Sequence, residues 1–113
     1  MVEPKDLEKM HFSSKDLLPT ESEAEHFNIG TERCYETFPP MVEGVPVSYF
    51  CTLHQEIDLG GKTIPLIVKI EKVYLRDDVV LDKEKMTIAY DPVARIGQSY
   101  AFLGEEVSPP PIP

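Results

Sequence analysis

From Val45 to Leu59 the chain alternates. Val45, Val47, Tyr49, Cys51, Leu53, Gln55, Ile57 and Leu59 hold the odd positions, and all but Gln55 are apolar. Between them stand Pro46, Ser48, Phe50, Thr52, His54, Glu56 and Asp58, of which only Phe50 is strongly apolar. Successive side chains of a pleated strand leave on opposite faces. This period of two therefore predicts a strand whose odd residues face a core. The run is longer than the ~5–6 residues usual for a strand, so a bend or bulge is expected within it. Gly60-Gly61 predicts a hairpin turn. A second strand is predicted over 64–75, with Ile64, Leu66, Val68, Ile70 and Tyr74 on one face and Ile67, Val73 and Leu75 on the other.

The flanks carry shorter signals. Pro4 suits a first helical position, and Leu7 and Met10 lie on one side of the helix it would start. Thr20-Glu-Ser-Glu23 is a capping-box pattern that predicts a helix of about two turns, with Ala24 and Phe27 facing inward and Gly30 as its stop. Phe38-Pro-Pro40 stiffens an extended approach to the strand pair. Met86, Ile88 and Tyr90 predict a short third strand. Asp91-Pro92, cap then proline, predicts a helix start leading into Val93–Gly97. Residues 104–113 end in Pro-Pro-Pro-Ile-Pro and read as a flexible or polyproline-like tail.

Composition narrows the class. At 113 residues this is one domain, and 11 prolines with 6 glycines fit a turn-rich chain, mainly β with short helices. A net charge of −9, with no basic stripe, argues against nucleic acid and anionic membrane surfaces, both of which bind proteins by neutralised phosphates. No apolar run approaches the ~20 residues that cross a bilayer, and the first residues lack a signal-peptide core. A cytoplasmic location is expected. Cys34 and Cys51 make no disulfide framework and are expected to be thiols.

Most candidate chemistry reduces to simpler readings. Cys51 and His54 would leave a strand on opposite faces, so a buried structural thiol is favoured over a nucleophile pair or half a zinc site. His11, His26 and Cys34 have no metal-ligand spacing, and no metal is expected. Asp77-Asp78 and Glu105-Glu106 read as solvated turns. No Gly-x-Gly-x-x-Gly indicates a dinucleotide loop. The proline tail lacks the basic neighbour that an SH3 or WW ligand would carry.

Several stretches, taken in order, resemble one family. Gly44-Val-Pro-Val-Ser-Tyr-Phe-Cys-Thr-Leu-His-Gln-Glu-Ile-Asp-Leu-Gly60 is similar to the "P-V-x-x-E-C-x-L" strand and "L-G" turn of the flavin reductase-like, FMN-binding split-barrel family. Ile67-Val-Lys-Ile-Glu-Lys-Val-Tyr-Leu75 looks like its "I-G-x-V-x-x-V-x-V" strand, and Asp77-Asp-Val-Val-Leu-Asp82 like its "D-D-x-V-L-D" turn. Pro92-Val-Ala-Arg-Ile-Gly-Gln-Ser-Tyr100 resembles its closing "P-x-x-R-x-G-G-x-Y". Upstream, Glu8–Ser13 and Glu25–Gly30 look like its helix and "E-F-x-x-x-G" element. Phe50 stands where the family usually has glutamate, and Gln98 where it usually has a second glycine.

The resemblance implies a partial split β-barrel over 1–103, matching the C-terminal half of the family domain, with 104–113 as the tail. It implies a truncated flavin-dependent oxidoreductase with FMN as cofactor and NAD(P)H as hydride donor. Arg95 and Tyr100 are the cofactor-binding residues it suggests, since a guanidinium can pair with phosphate or a reduced flavin edge and a tyrosine ring can pack on a ring system. The family's phosphate-binding half has no counterpart here, so the chain alone is expected to bind FMN weakly or not at all. Phe50, Ile67, Val73 and Leu75 are expected on outer strand faces. Together with an unpaired sheet edge they predict a homodimer, or a partner chain that supplies the missing half-barrel. The alternative is a non-catalytic remnant, a β-scaffold or association module without cofactor.

Overall fold

The computed structural model describes residues 1 to 113. A 3₁₀ turn at Pro4–Asp6 runs into helix α1, Leu7–Phe12, with Pro4 in the first turn, where its missing N–H costs nothing. Helix α2, Glu23–His26, is a single turn. The predicted Thr20–Glu23 box does not form. Ser22 is the cap, its hydroxyl accepting from the Glu25 amide at 3.4 Å, while Glu21 accepts from the Leu18 amide at 2.8 Å. Asn28, at φ 51°, takes the left-handed position that was expected to fall to Gly30. Gly30 instead pairs with the next segment, its carbonyl accepting from the Glu43 amide at 2.8 Å.

Eight strands follow: β1 Thr31–Glu32, β2 Met41–Val42, β3 Val47–Glu56, β4 Leu66–Leu75, β5 Val80–Asp82, β6 Thr87–Ile88, β7 Val93–Ile96 and β8 Ser99–Phe102. A 3₁₀ turn at Asp77–Val79 leads into β5. The strands form four antiparallel pairs, each strand with the next, and no ladder joins one pair to another. The mainly β reading with short helices is what the structure shows. The helix predicted after Asp91-Pro92 is a correction, because β7 and β8 form a hairpin there. Its turn is Gly97-Gln98, with Gly97 at φ 54°, the conformation a II′ turn requires at its first position.

The long pair β3–β4 is the spine. Its connection runs from 57 to 65 and is not a tight glycine turn, although Gly60 does adopt a positive φ of 72°. Two bulges interrupt the register: Glu71 is skipped between the pairs Phe50↔Lys72 and Cys51↔Ile70, and His54 between Leu53↔Val68 and Gln55↔Ile67. Directly paired residues share a face. One face therefore carries Val47, Tyr49, Cys51 and Leu53 from β3 with Leu75, Val73, Ile70 and Val68 from β4. The alternation in β3 is as expected. In β4 the bulge at Glu71 moves Val73 and Leu75 onto the face of Val68 and Ile70, and moves Tyr74 off it, correcting the predicted split.

Burial corrects the rest. Val47 is buried, but Tyr49, Leu53, Val68, Ile70 and Val73 are all about half exposed, at 47–57 %. Phe50, expected outside, is 5 % exposed and forms the core with Met41 and Val45, against Tyr35, Phe38 and Tyr74. The bulge beside it leaves Phe50 opposite Lys72, on the face where β2 and the 35–41 segment close over the strand pair. Ile67 is exposed, as expected, and Val73 is exposed too, but on the face of Val68 and Ile70 and not on the outer one.

The accessible surface is 9513 Å². A compact monomer of this mass exposes about 6,300 Å². The radius of gyration, 17.1 Å, likewise exceeds the ~13 Å of a compact domain this long. The chain is an open β framework, and most of its apolar strand surface meets no other part of it. Residues 104–113 are exposed and carry no helix or strand.

Candidate functional site

Arg95 and Tyr100 face each other across the β7–β8 hairpin as a directly paired couple. The glycine turn two residues beyond Arg95 fixes this register, and the Gly97 carbonyl accepts from Arg95 Nε. Arg95 Nη1 donates to the Tyr100 hydroxyl at 3.0 Å, and the guanidinium carbon stands 5.0 Å from the ring centroid. This is a cation–π contact that holds the guanidinium against the phenol. The two residues suggested by the resemblance thus come together.

A third residue joins them that sequence reasoning missed. His11, at the end of α1, lies with Nδ1 3.0 Å from the Tyr100 hydroxyl, its ring edge-on at 5.7 Å and 89°. No local signal could have found it, for it lies 89 residues from Tyr100. Beside this trio opens a shallow cleft of about 570 Å³, with Pro4, Leu7 and Phe12 as apolar wall and Lys5, Glu8, His11, Gln98 and Tyr100 as the rest of its lining. Its volume is in the range that takes a ring-sized ligand, ~300–1,000 Å³.

Helix α1 is held in place by a second constellation that the sequence hid. Arg76, just after β4, donates bidentately to Glu3 at 2.9 and 3.0 Å, to the Gly44 carbonyl at 2.6 Å, and to both Asp78 oxygens. Asp78 is thus part of a clamp while staying in an exposed turn, as expected of it. The Arg76 hydrogen bond holds the Glu3 carboxyl below the usual carboxylate range against the opposing effect of burial, and lowers Asp78 in the same way. Arg76 is in turn pushed upward, first by Glu3 and then by Asp78. The Val93 amide donates to the Val2 carbonyl at 3.0 Å, tying the same N-terminal segment to β7. A tighter cavity of about 260 Å³ lies under α1, between Met10, Ile29, Val42 and Val45.

The other candidates stay apart. Cys51 is half-buried and paired with Ile70, while His54 is the residue a bulge leaves unpaired. Cys34 is exposed, its thiol 3.6 Å from the Met41 sulfur. No three His, Cys, Asp or Glu side chains gather as a metal site, and no helix is long and apolar enough to cross a membrane.

The residues present fit the ring part of a flavin. Tyr100 and apolar walls meet at one cleft, and the Arg95 guanidinium, outside its lining, is bonded to the Tyr100 hydroxyl. They do not make a phosphate cradle, which needs several fixed donors on a rigid loop. The cation lining the cleft, Lys5, is paired with Glu3 at 3.4 Å.

Comparison with known proteins bears on the family and the fold, and the family match ends before Arg95 and Tyr100. The model of the flavin reductase-like domain matches residues 1–92. Among solved structures, the chain is similar to a 2-nitrobenzoate 2-nitroreductase of Pseudomonas fluorescens, at TM-score 0.81 and 24 % identity over 96 % of this chain and 55 % of that one. It is similar to nitrilotriacetate monooxygenase component B from Bacillus cereus, at TM-score 0.81 and 23 % identity, covering 96 % and 56 %. A flavin reductase with a split-barrel domain from Shewanella frigidimarina gives TM-score 0.82 and 24 % identity, covering 98 % and 57 %. The chain thus has their fold and spans a little over half their length. No curated protein matches the sequence.

Proposed function

The chain belongs to the flavin reductase-like domain family, and we propose that it forms the ring side of an FMN site in an oxidoreductase that takes hydride from NAD(P)H. The observation that carries this reading is the Arg95–Tyr100 couple beside a ring-sized cleft. When bound, the flavin supplies the hydride chemistry, and the protein's part is to place and polarise it. The Tyr100 ring and the Pro4–Phe12 wall offer apolar surface to a planar ring, while Arg95 brings positive charge to where a reduced ring carries electron density.

The rest of the site lies outside these residues, in a second copy or another segment that lays strands against β3 and β4. The half-exposed apolar face of that pair supports this completion, since its side chains are those of a barrel interior. The same face also favours a second reading, an association module that holds no cofactor. Titration with FMN, followed by flavin fluorescence, separates the two. On the ring-side reading FMN binds weakly, and Arg95→Ala weakens it further by about tenfold, the equivalent of ~1.4 kcal/mol. Identical binding curves for the wild type and the Arg95→Ala and Tyr100→Phe variants would remove these residues from the site.

A further inference from the structure

We propose that His11 is a positioning residue of this site: it takes the Tyr100 hydroxyl proton as a hydrogen bond on Nδ1 and turns its own Nε2–H to the cleft. The inference rests on the ring-side reading only for the identity of the ligand. The Tyr100 oxygen already accepts from Arg95 Nη1 at 3.0 Å. A phenol has one proton to give and is a poor acceptor for two donors at once, because part of its lone-pair density is shared with the ring. The group facing it on the other side is His11 Nδ1, also at 3.0 Å. The arrangement that satisfies all three runs one way, from Arg95 to Tyr100 to His11.

That direction makes Nδ1 the acceptor and leaves the imidazole proton on Nε2. Nε2 has no partner within the protein, and His11 lines the cleft. The same direction leaves the Tyr100 hydroxyl without a proton for a ligand. Of the trio, His11 and Tyr100 line the cleft and Arg95 does not, so what the trio offers a bound ring is one N–H donor, the Nε2–H of His11. Its ligand class is a planar ring with a carbonyl or anionic oxygen edge. The Glu8 carboxylate and the Gln98 amide oxygen, which also line the cleft, supply its acceptors.

The test is long-range ¹⁵N–¹H correlation on the full chain at neutral pH. It reads the protonated imidazole nitrogen of each of the three histidines, with His11 assigned by His11→Asn. The expected result is a single Nε2–H tautomer at His11 that becomes a mixture in Tyr100→Phe. A His11 protonated on Nδ1, or a mixture already present in the wild type and unchanged by Tyr100→Phe, overturns the proposal whatever flavin does. Riboflavin is then the probe, being a ring without phosphate. His11→Ala should weaken its binding about tenfold. His11→Asn, whose amide oxygen takes the place of Nδ1 but lacks the outer N–H, should keep the Tyr100 orientation and recover only part of that loss. Full recovery by His11→Asn would show that the outer N–H does nothing and would overturn the donor-edge assignment. The expected tautomer without any riboflavin binding supports the role of His11 and counts against the flavin reading instead.

Discussion

Replacing Phe50 by alanine should remove a large part of the stability of this chain. Phe50 is 5 % exposed and is the centre of an aromatic group, with Tyr35 edge-on at 5.0 Å and 86° and Phe38 at 5.5 Å and 67°. A buried phenyl group withdraws roughly 150 Å² of apolar surface, worth about 4 kcal/mol at ~25 cal/mol per Å². The two tilted pairs add ~0.5–1.5 kcal/mol each, and partial collapse of the 35–41 segment into the gap returns some of it. The expected loss is about 3–5 kcal/mol. Stability near ~0.05–0.15 kcal/mol per residue gives a chain of this length at least ~6 kcal/mol. With only six buried residues, it should sit at the low end, so this one change removes half or more. Urea unfolding followed by far-UV circular dichroism measures it, with Leu53→Ala as the control on the same strand. Leu53 is 57 % exposed, so its truncation in a monomer should cost under ~1 kcal/mol. A loss below ~1 kcal/mol in Phe50→Ala would refute the claim that the core sits on the Phe50 face.

Three further outcomes follow from the same structure. At micromolar concentration the chain should sediment as a species larger than a monomer, and Ile70→Lys, in the middle of the half-exposed face, should shift it downward; a monodisperse wild-type monomer would contradict this. Gly97→Val should cost about 1–2 kcal/mol in hairpin stability, more than Gly97→Ala, because φ is +54° while the space beside the glycine is open; hydrogen exchange across β7–β8 reads it. On acidification the Glu3–Arg76 clamp should open. The Glu3 value is lowered in the folded chain, so its contribution is complete above the unfolded carboxylate range of ~4.3 and is lost as pH falls through the depressed folded value. Exchange protection in α1 should therefore fall below about pH 4, and Arg76→Met should abolish that pH dependence.

The legible parts of this fold are those carried by local chemistry. Period-two alternation marks β3 directly, and Pro4 marks the first turn. The bulge at Glu71 left no trace, because no glycine or proline announces it and Lys-Ile-Glu-Lys reads equally well in either register. At Asp91-Pro92 a local helix-start signal competed with a non-local one. Val93 and Ile96 are β-branched, and pairing with 99–102 decides the outcome, which no single-stretch reading contains. Arg95 and Tyr100 were found only through resemblance. His11 and Arg76 act across 89 and 73 residues, and the exposed acidic turn after Arg76 gave no sign that it also pairs with it.

The β3–β4 pair explains why so apolar a segment has so small a core. An antiparallel sheet with one face in water alternates cleanly between apolar and polar, whereas a strand covered on both sides reads as a nearly continuous apolar run. β4 opens with Leu66-Ile67-Val68 and keeps apolar groups on both faces to its end. One face is the stripe from Val47 and Leu75 to Leu53 and Val68, closed at the Val47 end and open along the rest. The other is closed by Met41 and the aromatic group around Phe50 and is otherwise lined by Thr52, Lys69 and Lys72. The two faces therefore make different demands. The polar one is finished, with Thr52 bonded to Glu71 at 2.9 Å. The apolar one asks for further strands at both free edges, because each edge also presents unpaired amides and carbonyls. On the ring-side reading, those strands would cover the open stripe and carry the phosphate-binding donors that the Arg95–Tyr100–His11 cluster lacks. Covering the stripe and completing the flavin site would then be one event, and a variant that blocks the first should also abolish the second.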